Sequence, residues 1–345
     1  MAPIKNGVAY FNEIPERLVN ENTVAYRTSL IDVDNVELDG GILAKSLYFS
    51  IDPHLRRWMA GRDTSTGPGY ELGNPIWGIG LATVLRPEKT LTQSLTRGIV
   101  PAFQEYNVLA ANTTLQVIHP EPGVSLSAYL NVLGMPGQTA FYGLELIGKP
   151  KSGETIYVSA GAGAVGSIVA QLAKAKGLKV IASAGSSDKV EAMKQMGVDV
   201  AFNYKVEDTA GVLAKEGPID IYWDHIGGPQ LEAAIGACSL YARIIVCGAL
   251  LAFNNAPAHN VKNLAEILYK RLRVQGFMYW EAEVEVEGHS GNPIKFINTL
   301  TPLVKSGRIH STEQVFDGIE SINQAIATGL TGTSTGKVVV KVADP

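Results

Sequence analysis

Cysteine is scarce in this 345-residue chain, which carries only Cys238 and Cys247, each beside an apolar segment. Two such residues build no disulfide framework, and reduced, mostly buried thiols of a cytoplasmic protein are expected. They also fall short of a zinc-dependent alcohol dehydrogenase, which needs Cys and His ligands at its catalytic ion and often four cysteines at a structural one. The six histidines, His54, His119, His225, His259, His289 and His310, are scattered without a His-x3-His or Cys-x2-Cys spacing. Metal-assisted chemistry is therefore not expected. Only 18% of residues are charged, with a net charge of −4, so the basic footprint of a nucleic-acid binder is missing. No apolar run approaches the roughly 18 residues that suggest a membrane span. The opening residues, 1–7, lack the apolar stretch of a signal peptide. Asn112-Thr-Thr114 fits a glycosylation acceptor, but without secretion the match is read as accidental. Internal repeats and low-complexity tracts are lacking too.

What is present centres on residues 155–204. Thr155-Ile-Tyr-Val-Ser159 reads as a short buried strand, and Ala160-Gly-Ala-Gly-Ala-Val-Gly166 as a sharp turn. Val165, Ile168, Val169 and Leu172 then fall at i, i+3, i+4 and i+7, one apolar helix face. Gly177 stops the helix, and Lys179-Val-Ile-Ala-Ser183 returns as a second strand. A GxGxxG that follows a strand and opens a helix in a βαβ unit of about 30 residues is the dinucleotide-binding fingerprint. The first glycine is expected to permit the turn, the second to let backbone approach a pyrophosphate, and the third to let helix pack on strand. Helix N-terminal N–H groups then hold the phosphates.

The end of the second strand selects the dinucleotide. NAD enzymes place an acid about 20 residues past the glycines to bind the ribose 2′-OH. Here Ala184-Gly-Ser-Ser-Asp-Lys189 offers small neutral residues and then a lysine, which favours the 2′-phosphate of NADPH. Asp188 or Ser187 is read as the cap of a following helix, Lys189–Met196, that ends at Gly197.

At this length two domains are expected. Residues 1–130 hold short β-like runs (24–26, 42–50, 79–84, 106–108) between Gly, Pro and Asn, an irregular β domain. Beyond residue 130 a helical stretch, 138–147, precedes strands at 155–159, 179–183, 200–204, 219–223, 243–247 and 272–278. These alternate with helices, the pattern of a doubly wound parallel sheet in an α/β protein. A helix-like stretch, 294–306, closes that unit. A final strand, Lys337-Val-Val-Val-Lys-Val342, is expected to return to the β domain. The boundaries read 131–309 for the dinucleotide-binding domain, and 1–130 with 310–345 for the other. The run 281–287 alternates acidic and apolar residues, as an exposed strand or solvated loop does.

This order of domains resembles the medium-chain dehydrogenase/reductase superfamily. Finer segments narrow it: Tyr48-Phe-Ser-Ile-Asp-Pro-His-Leu-Arg56, Gly134-Met-Pro-Gly-Gln-Thr-Ala140, Ser186-Ser-Asp-Lys189, Asn203-Tyr-Lys205, Asp224-His-Ile-Gly-Gly228 and Cys247-Gly248. They resemble the zinc-free branch of prostaglandin reductases and plant alkenal double-bond reductases, over nearly the whole chain. The resemblance implies a Rossmann domain joined to a GroES-like β domain, a homodimer, and NADPH as cofactor. It also implies hydride transfer to the β-carbon of a small α,β-unsaturated aldehyde or ketone, followed by protonation of the α-carbon. Such a protein must align the alkene and stabilise charge developing on the carbonyl oxygen. An NADPH quinone reductase and a weakly active NADPH-binding protein are the alternatives.

Carried over by position, Ala162, Gly163, Ala164, Val165 and Gly166 face the pyrophosphate, and Lys189 and Tyr204 hold the 2′-phosphate. Cys247 and Gly248, with the loop to Phe253, border the nicotinamide, and Phe277, Met278 and Tyr279 flank its other side. Two departures stand out on the cofactor side, and two more, Phe253 and His54, bear on catalysis. His225 replaces the family's Asn, keeping a hydrogen-bonding side chain near the cofactor. Ser334 replaces an Asn of the Asn-x-Gly-Lys ending. Phe253 stands where a tyrosine is common. His54 likewise replaces a tyrosine of the Asp-Pro-Tyr-Met-Arg pattern. With both candidate hydroxyl donors gone, His54 is expected to act as donor or general acid, with Tyr279 in reserve. Arg56 and Arg57 are read as ion-pair or interface residues. Trp58, Trp77, Trp223 and Trp280 are read mainly as packing, and the loops 61–77 and 250–262 as setting pocket size.

Overall fold

The computed structural model describes residues 2–64, 67–87, 95–100, 102–254, 257–291 and 293–345. Parts of the two expected pocket loops, 65–66 and 255–256, lie outside the described residues. The chain divides into two compact units, Met1–Leu130 with Glu313–Pro345, and Asn131–Thr312.

The first unit opens with an antiparallel ribbon of β1 (Ile4–Phe11) and β2 (Val24–Ile31). β3 (Ile42–Ile51), β4 (Gly78–Pro87), β5 (Leu95–Val100), β6 (Tyr106–Leu109) and β7 (Leu115–Ile118) follow. β3 is buried along almost its whole length because it is central, paired to β4, β6 and the returning C-terminus. The core packs Phe11, Phe49, Trp58, Phe103, Ile322 and Val340 together.

The second unit carries β8 (Thr155–Val158), β9 (Lys179–Ala184), β10 (Val200–Asn203), β11 (Ile219–Asp224), β12 (Cys238–Val246) and β13 (Arg273–Gly276). All pair in parallel in the order β10-β9-β8-β11-β12-β13. Buried on both faces, such strands are largely apolar, as residues 156–158 and 180–182 are. The order reverses between β8 and β11, and open α/β sheets bind ligands beyond the strand ends at that reversal.

The chain then re-enters the first unit as β14 (Glu313–Asp317) and β15 (Lys337–Lys341), the latter antiparallel to β3 with Val338 opposite Ile51. A buried ion pair ties this junction. Lys337 Nζ donates to Asp52 Oδ1 and to the Ile51 carbonyl, both at 2.6 Å, and Ser50 Oγ donates to Asp52 Oδ2 at 2.6 Å.

Several elements differ from the sequence expectation. Residues 279–287 form a helix, not a strand or loop. Its period-2 pattern is overridden by tertiary hydrogen bonds: Glu283 accepts from Gly291 N at 2.7 Å, and Glu287 from Lys295 N and Phe296 N at 2.9 and 3.0 Å. The helix expected over 138–147 starts earlier, at Met135, and ends as a wider π turn, Leu144–Gly148. Ser186, not Ser187 or Asp188, caps the helix Ser187–Gln195, so Asp188 sits in its first turn beside the positive end of the dipole.

Candidate functional site

At the switch point the glycine-rich turn leaves β8 and enters the helix Ala164–Ala175. The left-handed residue of this turn is Ala160, at φ 52°, so Gly161 is not the residue that permits it. Gly161 answers to close packing: a Cβ there would lie 2.7 Å from Ala182 Cβ and 2.8 Å from Met193 Sδ. Its N–H donates to the Ser183 carbonyl at 2.9 Å, fastening the turn to β9. Gly166 has the tightest constraint, since a Cβ would stand 2.3 Å from the Ala160 carbonyl oxygen. Gly163 differs, with an ordinary extended backbone at φ −79° and ψ 173° and only the Ala160 carbonyl within reach, at 3.2 Å. It caps the helix without any side-chain hydrogen bond. The first-turn N–H groups of Ala164, Val165 and Gly166 therefore have no intrahelical partner and no capping side chain, the arrangement that receives an anion.

At the end of β9, Tyr204 Oη and Lys205 Cε both lie 3.2 Å from where a Gly185 Cβ would stand. Burial and the nearby Lys205 charge both push the Lys189 ammonium below the ordinary lysine range. A bound phosphate would relieve this crowding of positive charge at Lys189. Sequence reading quoted Asn203-Tyr-Lys205 yet missed Lys205 itself. The signal is only that it neighbours Tyr204 on the turn after β10.

The third cluster joins β11 and β12. Cys247 N and Gly248 N donate to the Asp224 carbonyl at 2.9 and 3.1 Å, and Leu250 N to the His225 carbonyl at 3.0 Å. His225 is held at both ring nitrogens. Nδ1 stands 2.6 Å from the Ser159 carbonyl, and Nε2 accepts from the Trp223 indole N–H at 3.0 Å. An indole N–H only donates, so Nε2 is bare and Nδ1 carries the proton. With both nitrogens engaged inside the protein, His225 staples the end of β11 to the end of β8. Burial holds its basicity below the ordinary histidine range, which keeps it neutral.

Ala162–Gly166, Lys189, Tyr204, His225, Cys247 and Gly248 thus gather beyond the carboxyl ends of the parallel strands, with Phe277 and Met278 just past β13. Phe253 ends the short helix Leu250–Phe253. Tyr279 opens the helix after Met278, its ring edge-on to Trp280 at 5.3 Å. His54 and Ser334 belong to the other unit. His54 packs edge-on against Trp58 at 4.5 Å, and Trp58 lies 4.0 Å from Trp77. Burial lowers the His54 pKa, while Asp52 opposes that shift. Among the described residues, Arg56 has no ion-pair partner. Its guanidinium donates to the Pro15 and Arg17 carbonyls at 2.9 Å each, pinning the chain before β2.

A parallel sheet in this order, with a bare helix N-terminus at its reversal, defines a dinucleotide-binding oxidoreductase architecture. The zinc-binding dehydrogenase family profile matches residues 164–287. A 2-alkenal reductase (NADP(+)-dependent) of Nicotiana tabacum is 36% identical, over 94% of this chain and 93% of that one. A (+)-pulegone reductase of Mentha piperita is also 36% identical, over 94% and 95%. The crystal structure of CurA in complex with NADPH from Vibrio vulnificus superposes with a TM-score of 0.87 at 28% identity, covering 98% of this chain and 100% of that one. The chain belongs to the zinc-binding dehydrogenase family, within the medium-chain dehydrogenases/reductases. The described residues do not offer the ligands that the metal of the family's name would need. Among the described residues, no group of three or more His, Cys, Asp or Glu side chains could hold an ion. Nor, among them, is any helix long and apolar enough to cross a membrane.

Proposed function

We propose that this protein is an NADPH-dependent reductase of the carbon–carbon double bond of small α,β-unsaturated aldehydes and ketones, in the manner of the prostaglandin and plant alkenal reductases. The observation that carries the reading is the pairing of the uncapped helix N-terminus at Gly163 with Lys189, Tyr204 and Lys205 at the end of β9. The tobacco and peppermint relatives supply the reaction class. Backbone at 162–166 receives the pyrophosphate, and the two lysines and Tyr204 the 2′-phosphate. Cys247, Gly248 and Phe253 border one side of the nicotinamide, Phe277 and Met278 the other, and Ser334 is a further cofactor residue. When bound, NADPH supplies the hydride that the alkene β-carbon accepts.

The chain's own task is to orient the enone and hold charge on its oxygen. His54 serves as a neutral N–H donor rather than an imidazolium, because burial disfavours its charged form. Tyr279 is the second donor. A cytoplasmic homodimer fits the same reading. β13 ends the sheet with an exposed edge, and Leu240, Tyr241, Leu268 and Tyr269 near it are more than half exposed. An open edge flanked by apolar side chains is suited to pairing with a second copy.

The test is a panel of enals, enones and a simple quinone, each with NADPH and NADH. Turnover of the enals with NADPH, giving saturated carbonyls, is expected. Exclusive use of the quinone, or binding without turnover, would replace this reading with one of its two alternatives. An unchanged rate in His54→Ala would remove His54 from the mechanism.

A further inference from the structure

Trp223 is completely buried at the middle of the switch-point sheet, on β11. Three groups meet its ring, and all three sit on the nicotinamide side of the proposed site. Its indole N–H donates to His225 Nε2 at 3.0 Å. The Trp223 side chain is also a polar neighbour of the buried Cys247 thiol. The Phe277 ring meets it edge-on, with centroids 6.0 Å apart at 81°. Room for so large a ring comes from Gly143, where a Cβ would stand 2.4 Å from Trp223 Cη2 and 2.7 Å from Phe277 Cζ. His225 in turn reaches the Ser159 carbonyl at 2.6 Å, and its backbone N–H donates to Ser159 Oγ at 2.9 Å. One indole therefore links the ends of β8, β11 and β12 and the residue following β13.

We infer that Trp223 is a positioning residue for hydride transfer, acting through His225, Cys247 and Phe277 to set the wall against which the nicotinamide lies. This rests on the proposed reading that the site holds NADPH. It goes further in separating two functions of the site. Among the described residues, no hydrogen bond or ring contact joins the Trp223 side chain to the proposed phosphate contacts at 162–166, 189, 204 and 205, so affinity and alignment have different supports. A group that only filled space would be replaced by phenylalanine with little kinetic effect. A group whose N–H fixes His225 would not, because the bare Nε2 would lose its donor and the ring would be released from its tautomer.

The experiment compares wild type, Trp223→Phe, His225→Asn and the double variant by NADPH titration and by kcat on the best enal. In Trp223→Phe, kcat is expected to fall on the order of tenfold, since small misplacements of the reacting atoms are costly, while Kd for NADPH changes less than about threefold. The double variant is expected to lose less than the product of the single losses, since the amide has no Nε2 in need of the indole. Unchanged kcat in Trp223→Phe, equal losses in kcat and affinity, or multiplicative losses in the double variant would each overturn the inference while wild-type turnover leaves the functional reading standing. Failure of wild type to bind NADPH would instead remove the functional reading. Should Trp223→Phe not fold, the 15N spectrum of the wild-type histidines decides. A ring protonated at Nδ1 and bare at Nε2, in the free and NADPH-bound protein, supports the link; an Nε2–H tautomer at His225 refutes it.

Discussion

Two glycines three residues apart are predicted to fail in opposite ways when each is replaced by alanine. At Gly166 the new methyl would stand 2.3 Å from the Ala160 carbonyl oxygen and 3.0 Å from both the Ala160 carbonyl carbon and Gly161 Cα. An ordinary contact needs about 1 Å more, so the helix Ala164–Ala175 must shift away from the turn. Overpacking of this kind costs about 1–3 kcal/mol. At roughly 2–4 °C per kcal/mol, the unfolding midpoint falls by about 2–12 °C. At Gly163 the backbone is extended and the only neighbour is that same oxygen at 3.2 Å. Gly163→Ala should therefore shift the midpoint by less than about 2 °C. Yet its methyl would occupy the approach to the uncapped N–H groups, and NADPH should bind at least about tenfold more weakly, a loss of about 1.4 kcal/mol. Thermal unfolding by circular dichroism and titration of NADPH fluorescence measure both quantities on the same samples. Wild-type affinity in a stable Gly163→Ala would refute the assignment of this backbone to the pyrophosphate.

Removing one partner of the buried Asp52–Lys337 pair leaves an uncompensated charge, so Lys337→Met should cost about 3–5 kcal/mol in denaturant unfolding. Adding Asp52→Asn should recover part of that loss. Burial pushes both thiols, Cys238 and Cys247, up to about 12, so neither should react appreciably with iodoacetamide at pH 8 until the protein is denatured. Burial lowers the pKa of both His54 and His225. The unfolded chain takes up those protons near pH 6.5 while the folded chain does so only at lower pH, so stability is full above about 6.5 and declines as pH falls below it. Each group contributes a slope of at most about 1.4 kcal/mol per pH unit. His225→Asn should flatten a plot of unfolding free energy between pH 7 and 5, and an unchanged slope would show that His225 is not buried and neutral.

The strands of the parallel sheet were legible because burial on both faces forces short apolar runs such as residues 156–158 and 180–182. β1 was not, because Asn6 and Gly7 break its pattern. The structure holds it by bonds from far along the chain, Gly7 N to Glu105 Oε2 at 2.6 Å and Asn6 Nδ2 to the Tyr106 carbonyl at 3.1 Å. The helix over 279–287 was hidden by its alternating acids for the same reason. Its carboxylates cap Gly291 and the N-terminus of the helix Ile294–Lys305, and no local pattern records such partners.

The site divides along the same line. Spacing alone exposed the glycine turn, since its constraint lies in backbone geometry close in sequence, although it could not tell that Ala160 rather than Gly161 takes the left-handed conformation. Trp223 and His225 are two residues apart at the end of β11, yet read residue by residue one is packing and the other a cofactor contact. In the structure they are a donor and its acceptor. An imidazole at 225 without an indole at 223 would leave a buried nitrogen bare, at a cost of about 1–3 kcal/mol. The two residues therefore make chemical sense only as a pair. The His225→Asn and Trp223→Phe single variants should each be worse than the double predicts, because each leaves half of a hydrogen bond behind.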